Sequence, residues 1–339
     1  MPSLLAESYL HRLDPVAIPI TDSFGLRWYG LSYAFGFLAA WLVIRWMARS
    51  RRSPLTVEAA GDFIFYIIAG VLVGGRVGYA IFYDPALFVS FDTKLPFWGL
   101  LAINEGGMAS HGGILGVIAA CVIFARRRGL DSFHLLDLVA FTCPIGLGAG
   151  RVANFVNGEL WGEPLPATQQ ADPPGWSVKY PEQVVLDPDL AVPPAVETEL
   201  QTIVGGLDTF RPNVVAALRD GDERVTALVQ PLLTAHYPSQ LIQAIAEGPL
   251  LLGILCLLWL RPRRPGMVGV AFLGAYGVLR IVTELFRQPD VGVDRFVGLS
   301  RGQVLSLLMV AAAIVCFVWM WKRNRPRIGG LLPTPSSPS

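Results

Sequence analysis

Long apolar blocks alternate with short basic loops along this chain. The blocks at 28–47, 59–82, 109–125, 133–155, 240–260, 266–286 and 302–321 each approach the roughly 20 residues an α-helix needs to cross a bilayer. The pattern predicts an all-α integral membrane protein of about seven transmembrane helices. The third block is the shortest and opens on Gly112, Gly113 and Gly116, so its start is expected to be broken or half-buried. Arg45, Arg49, Arg51 and Arg52 follow the first block, and Arg126, Arg127 and Arg128 follow the third. Arg261, Arg263 and Arg264 follow the fifth, and Lys322, Arg323, Arg325 and Arg327 the seventh. In the stretch 83–108, by contrast, Lys94 is the one cation. Basic loops stay on the cytoplasmic side, which puts the N-terminus outside, periplasmic or extracellular, and the C-terminus in the cytoplasm.

The segments between the blocks set the expected organisation. Residues 1–27 carry Glu7, Arg12, Asp14 and Asp22 without a long apolar run, so a cleaved signal peptide is not expected there. Residues 28–162 hold spans one to four, and 238–327 hold spans five to seven. Between them, 163–237 is charged and broken by Asp172-Pro173-Pro174-Gly175 and Val192-Pro193-Pro194. It reads as a small extracytoplasmic head with short helices near 196–205 and 213–233. The Gly/Pro/Ser-rich stretch 328–339 is expected to be disordered. No internal repeat of the kind that builds many transporters is evident.

Composition sharpens this picture. The chain is 53% hydrophobic and 16% charged, against about 25% charged for a soluble domain. Net charge is +1, and no clustered basic face of the sort that binds nucleic acid is present. Cys121, Cys143, Cys256 and Cys316 all lie in apolar blocks without metal-like spacing. They read as small core residues, and neither a disulfide framework nor a metal site is expected.

Ionisable groups inside membrane spans are costly and mark function by default. Arg151, Asn154 and Asn157 recur every three residues in Gly150–Gly162 and share roughly one helix face. A guanidinium fork with amides beside it suits a phosphodiester, although packing between helices would use the same pattern. Tyr276, Arg280, Thr283, Glu284 and Arg287 form a second stripe, in which Arg280 and Glu284 can pair at i,i+4. A structural ion pair is the plainer reading there. After that stripe, Pro289 is expected to stop the helix. The third place is Asn104-Glu105-Gly106-Gly107-Met108-Ala109-Ser110-His111-Gly112-Gly113. A histidine among glycines at a span mouth titrates near neutral pH and suits proton transfer, or it simply meets lipid headgroups. Gly70, Gly74 and Gly78 are spaced for close helix packing, and Arg76 among them could add charge to an anion site. These residues alone leave open a lipid-headgroup enzyme or an anion transporter.

The same residues resemble the bacterial prolipoprotein diacylglyceryl transferase family. Its signature GRxxNFxNGExxG is complete at Gly150-Arg151, Asn154-Phe155, Asn157-Gly158-Glu159 and Gly162. Supporting blocks follow in register: Trp28-Tyr29-Gly30, Gly74 to Tyr79, Gly106-Gly107-Met108 leading to His111, Pro238-Ser239-Gln240-Leu241, Tyr276-Gly277 with Arg280, and Phe286 to Asp290. The resemblance implies transfer of the diacylglyceryl group of phosphatidylglycerol to the lipobox cysteine of a preprolipoprotein. A thioether would form and glycerol phosphate would leave, at the outer leaflet of the plasma membrane, without metal or organic cofactor. It further implies a clamp of Arg151 and Arg280 on the phosphate, with Tyr29 and Asn154 holding the headgroup. Glu159 and Glu284 would orient the arginines, and Arg76, Asn157, Gly162, Tyr276 and Arg287 would complete the substrate site. His111 is the favoured base, and a thiol pKa lowered by the arginines is the alternative.

The arginine asymmetry has a direct test in reporter fusions. A fusion joined after Arg264 is expected to show cytoplasmic activity. Extracytoplasmic activity at that position would reverse the topology.

Overall fold

The computed structural model describes residues 7–21, 24–93, 95–103, 106–187, 190–206, 209–288 and 298–332. Asn104, Glu105, Pro289, Asp290 and the end of the tail lie outside the described residues, and so do the expectations placed on them. Among the described residues, seven helices are long and apolar enough to cross a membrane. They run Trp28–Arg49, Val57–Phe82, Ser110–Arg128, Ser132–Val156, Ser239–Leu258, Met267–Phe286 and Arg301–Lys322, within a few residues of the apolar blocks. The chain divides into two compact units. One holds Met1–Ala34, Leu147–Leu250 and Tyr276–Met309; the other holds Phe35–Gly146, Leu251–Ala275 and Val310–Ser339.

The second unit is built on helix packing. Ile44, Met47, Phe63, Phe124, Leu135, Leu138, Leu255 and Trp259 form its buried core. Helices Val57–Phe82 and Ser110–Arg128 meet backbone to backbone. A Cβ added at Gly78 would stand 2.7 Å from the Gly112 Cα, and one at Gly74 would stand 2.8 Å from the Gly116 Cα. Small residues allow this approach where there is no hydrophobic drive between helices in lipid. The glycines at the start of the third span therefore do not break it; the helix runs unbroken from Ser110 to Arg128.

Helix ends in this unit are closed by side chains. Thr56 accepts from the Ala59 amide, and Asp131 accepts from that of Phe133 at 2.8 Å. Asp137 is buried and accepts from the amides of Gly266 and Gly269, both at 2.7 Å. It thereby satisfies N–H groups that the sixth span leaves open at its start. The tail expectation is corrected for its first residues. Ile328 pairs with Arg263, and the Leu331 and Leu332 amides donate to the carbonyls of Trp259 and Leu260. Backbone hydrogen bonding to a loop orders a stretch whose composition alone suggested disorder.

The first unit contains most of the stretch between spans four and five. Helices Pro194–Val204, Phe210–Asp220 and Glu223–Val229 pack Leu200, Val214, Leu218, Val225 and Val229 into a core of their own. Leu10 belongs to that core. Strand β1 (Tyr9–Leu10) pairs in parallel with β4 (Val178–Lys179), which pairs antiparallel with β5 (Ala235–His236). Through β1, an edge strand of this sheet, the N-terminal segment is joined to the stretch between spans four and five. Its next strands, β2 (Val16–Thr21) and β3 (Phe24–Arg27), form an antiparallel hairpin that leads directly into Trp28. The fifth span is interrupted by a π-helical segment, Ala246–Leu250, containing Pro249. Proline has no N–H to donate to the helical ladder, and such bulges recur at functional sites.

Asp137→Ala is expected to cost about 1–3 kcal/mol by leaving buried amides unpaired, with Asp137→Asn costing less because its oxygen still accepts one bond. Thermal unfolding in detergent, followed by tryptophan fluorescence, checks the order. Equal melting of Asp137→Ala and the wild type would mean that the carboxylate does not cap this helix.

Candidate active site

An alternating chain of charge lies in the first unit. Arg151 donates from Nε to Glu247 Oε2 at 2.8 Å and from Nη2 to Oε1 at 3.3 Å. Arg280 donates from Nη1 to the same Oε1 at 3.3 Å, and its Nη2 lies 3.0 Å from Glu284 Oε2. Ser300 donates to Glu284 Oε1 at 3.1 Å. The Glu247 side chain is fully buried, while those of Arg151 and Arg280 keep 16% and 11% of their exposure. Tyr276 is a further hydrogen-bonding partner of Arg151. Two guanidinium groups are therefore held side by side, oriented from behind by buried carboxylates, with part of each left accessible. The i,i+4 pair of Arg280 and Glu284 is present as its spacing predicted.

Glu247 is brought here by the π segment. An α-helix advances about 100° per residue, and the extra residue of a bulge changes which way the following side chains point. The backbones close up at the same level, where a Cβ on Gly148 would stand 3.0 Å from the Gly248 Cα.

Beside this ion chain the end of the fourth span carries a polar cluster. Asn154 donates to the Tyr29 hydroxyl, and that hydroxyl donates to Glu159 Oε2 at 3.3 Å. Asn157 Nδ2 lies 3.5 Å from Glu159 Oε1. Glu159, expected to orient an arginine, takes hydrogen bonds from Tyr29 and Asn157. The loop that follows is tied down residue by residue. Gln240 donates to the Glu159 carbonyl at 2.6 Å, Ser239 to the Leu160 carbonyl at 3.0 Å, and Trp161 to the Gly158 carbonyl at 2.7 Å. Gly162 bridges to Arg287, and any Cβ there would strike the carbonyl oxygens of Tyr237 and Phe286. Glycine is thus required at position 162 by backbone proximity.

These arrangements fall on residues that the family model for prolipoprotein diacylglyceryl transferase covers, since it matches residues 15–319. The chain belongs to that family. It is 42% identical to a phosphatidylglycerol–prolipoprotein diacylglyceryl transferase of Bdellovibrio bacteriovorus, over 93% of this chain and 94% of that protein. A protein of the same name from Xanthomonas axonopodis pv. citri is 35% identical over 97% of both chains. One from Yersinia enterocolitica is 36% identical over 94% of this chain and 98% of its own length.

Not every residue singled out from sequence joins the ion chain. Arg76 belongs to the second unit. It donates from Nε to the Leu100 carbonyl at 3.0 Å, from Nη1 to those of Gly106 and Gly107 at 2.5 and 3.0 Å, and from Nη2 to that of Gly99 at 2.6 Å. It holds the loop before the third span. His111 also belongs to the second unit, is exposed, and is the second residue of helix Ser110–Arg128.

Two histidines passed over in the sequence are buried in the first unit. His11 lies 2.7 Å from the Phe155 carbonyl, at the open end of the fourth span, and His236 Nδ1 lies 2.8 Å from the Gly162 carbonyl. Burial lowers the pKa of both, against the hydrogen bond to each carbonyl, which raises it. Each ring donates a hydrogen bond to a carbonyl of the signature loop. Glu247 was missed altogether, although a lone carboxylate inside an apolar block, beside Gly248-Pro249, was a readable signal. Among the described residues no group of three or more His, Cys, Asp or Glu side chains is placed to hold a metal ion.

Removing one partner from a buried ion pair leaves the other charge uncompensated and costs about 3–5 kcal/mol. Glu247→Gln keeps the shape and removes the charge that two arginines share. It is expected to lower the melting temperature much more than Glu284→Gln, whose arginine retains Glu247. The reverse order in thermal unfolding would mean that Glu247 is not the principal counter-charge.

Proposed function

We propose that this chain transfers the diacylglyceryl group of phosphatidylglycerol to the lipobox cysteine thiol of a preprolipoprotein, the first step of lipoprotein maturation. The observation that carries the reading is the pair of guanidinium groups on Glu247, set on the two spans that hold the family signature and the Tyr276–Arg287 block. Family membership supports the substrate class.

The chemistry has two demands. A bond forms between the cysteine sulfur and the glyceryl carbon as the carbon–oxygen bond to phosphate breaks. Glycerol phosphate leaves, gaining negative charge, and the thiol proton passes to a base. Fixed cations answer the first demand, because charge growing on a leaving phosphate is stabilised by preorganised donors in a site shielded from water. Arg151 and Arg280 take that role. Glu247 and Glu284 fix their planes, so no reorganisation accompanies the step. Tyr29 and Asn154 hold headgroup oxygens, with Glu159 and Asn157 orienting them. Gly162 and Arg287 keep the loop against the end of the sixth span, and Tyr276 steadies Arg151.

His111 supplies the base, since a free thiol with a pKa of about 8.5 is mostly protonated at neutral pH. Arg76 shapes the loop that leads to His111. In this reading the enzyme works in the bacterial plasma membrane with its site at the outer leaflet, and the basic loops support an N-terminus outside and a C-terminus in the cytoplasm.

The decisive assay incubates purified protein with phosphatidylglycerol and a lipobox peptide, then looks for a diacylglyceryl mass increase on cysteine. A peptide with Cys→Ser is expected to stay unmodified, and phosphatidylethanolamine is expected to be a poor donor. Modification of the serine peptide would overturn the reading.

The phosphodiester carries less charge than the departing monoester, so the arginines act more on the transition state than on bound lipid. Lysine keeps charge but loses the two-pronged donor set. Arg151→Lys and Arg280→Lys are each expected to lower kcat by roughly 10²–10³-fold while lipid affinity changes little. Loss of affinity with kcat preserved would make them ground-state binders.

His111→Gln is expected to slow transfer by roughly 10²–10⁴-fold and to flatten the pH profile near neutrality. Near-normal turnover with an unchanged profile would assign thiol activation to the arginine field instead.

A further inference from the structure

The second unit holds a cavity of about 620 Å³ that has no part in the transfer chemistry. Its walls come, apart from Pro262, from two stretches far apart in sequence. One is the turn after the first span, with Arg51, Arg52 and Ser53. The other is the ordered C-terminal strap, with Arg327, Ile328 and Leu332. None of the residues lining it is acidic, and among the described residues no ion pair is formed by Arg51, Arg52 or Arg327.

The arrangement is built rather than incidental. The first span closes with the amides of Arg51 and Arg52 donating to the carbonyls of Ala48 and Met47, and Arg51 is held at a φ of 54°. That left-handed turn, unusual for a residue with a side chain, puts two consecutive arginines on the cavity. The Arg52 guanidinium packs over the Trp46 ring at 4.7 Å, and its Nη1 is buried without a hydrogen-bond partner. A buried donor of this kind is costly unless a ligand completes it. The third guanidinium is supplied by the strap, which Ile328, Leu331 and Leu332 pin to residues 259–263. Arginines that merely orient a membrane protein need only lie in a short loop. They do not need to converge on one cavity from opposite ends of the chain.

We propose that this cavity binds a phosphate-bearing anion, and that the headgroup of an anionic phospholipid is the occupant it fits. Three guanidinium groups match phosphate oxygens. Ile328, Leu332 and the neighbouring prolines give the apolar wall that a glyceryl backbone needs and a free ion does not. Basic pockets beside spans on the cytoplasmic side favour such headgroups, and the arginine loops assign this end of the first span to that side.

The test uses the full-length protein in an uncharged detergent, titrated separately with dioleoyl phosphatidic acid, dioleoyl phosphatidylcholine and inorganic phosphate, and read by native mass spectrometry and thermal shift. The comparison is with a triple variant, Arg51→Gln, Arg52→Gln and Arg327→Gln, and with Arg52→Gln alone in case the triple variant does not fold. The wild type is expected to hold phosphatidic acid about tenfold or more tightly than the triple variant, near 1.4 kcal/mol, with several-fold loss for Arg52→Gln. Phosphatidylcholine should bind both alike, and diacylglyceryl transfer should be retained. Loss of inorganic phosphate binding alone would keep the anion chemistry and overturn the lipid occupant. Unchanged binding of both anions in the variants would overturn the site.

Discussion

One buried carboxylate sets the terms for the first unit. Glu247 sits without solvent exposure and takes hydrogen bonds from Arg151 and Arg280. Isolated, any one of these three charges would be too costly to keep in an apolar span. Together they tolerate burial, and the geometry that makes them tolerable also points two guanidinium groups the same way. The price is a span that cannot be a regular helix. The π segment Ala246–Leu250 and Pro249 deform the fifth span where its carboxylate must reach two neighbours.

The polar loop after the fourth span follows from that constraint. With Arg151 and Arg280 held in place on Glu247, the groups that follow Arg151 in the chain are held in place too. Four carbonyls from Phe155 to Leu160 receive side-chain donors: from His11 of the N-terminal segment, from Trp161 within the loop, and from Ser239 and Gln240 at the start of the fifth span. The N-terminal segment and the start of the fifth span thereby act as supports for the signature. The second unit shows the other solution to packing in lipid. There, glycines on two spans bring backbones together, and side-chain caps such as Asp137 close the ends.

The sequence by itself determined the seven spans, because hydrocarbon thickness fixes helix length and the apolar runs match it closely. It also determined the family and, through the signature, most of the side chains that the first unit brings together. The Arg280–Glu284 pair was legible because both lie on one helix, where spacing is geometry. Only the tertiary structure decided what depends on separate elements. That Glu247 is the shared counter-charge, that Glu159 serves Tyr29, that Arg76 holds carbonyls and that β1 completes a sheet begun near residue 178 are all contacts between stretches remote in sequence. The register of one element against another is set by packing and by the pairing of buried polar groups, and neither leaves a periodic trace along the chain.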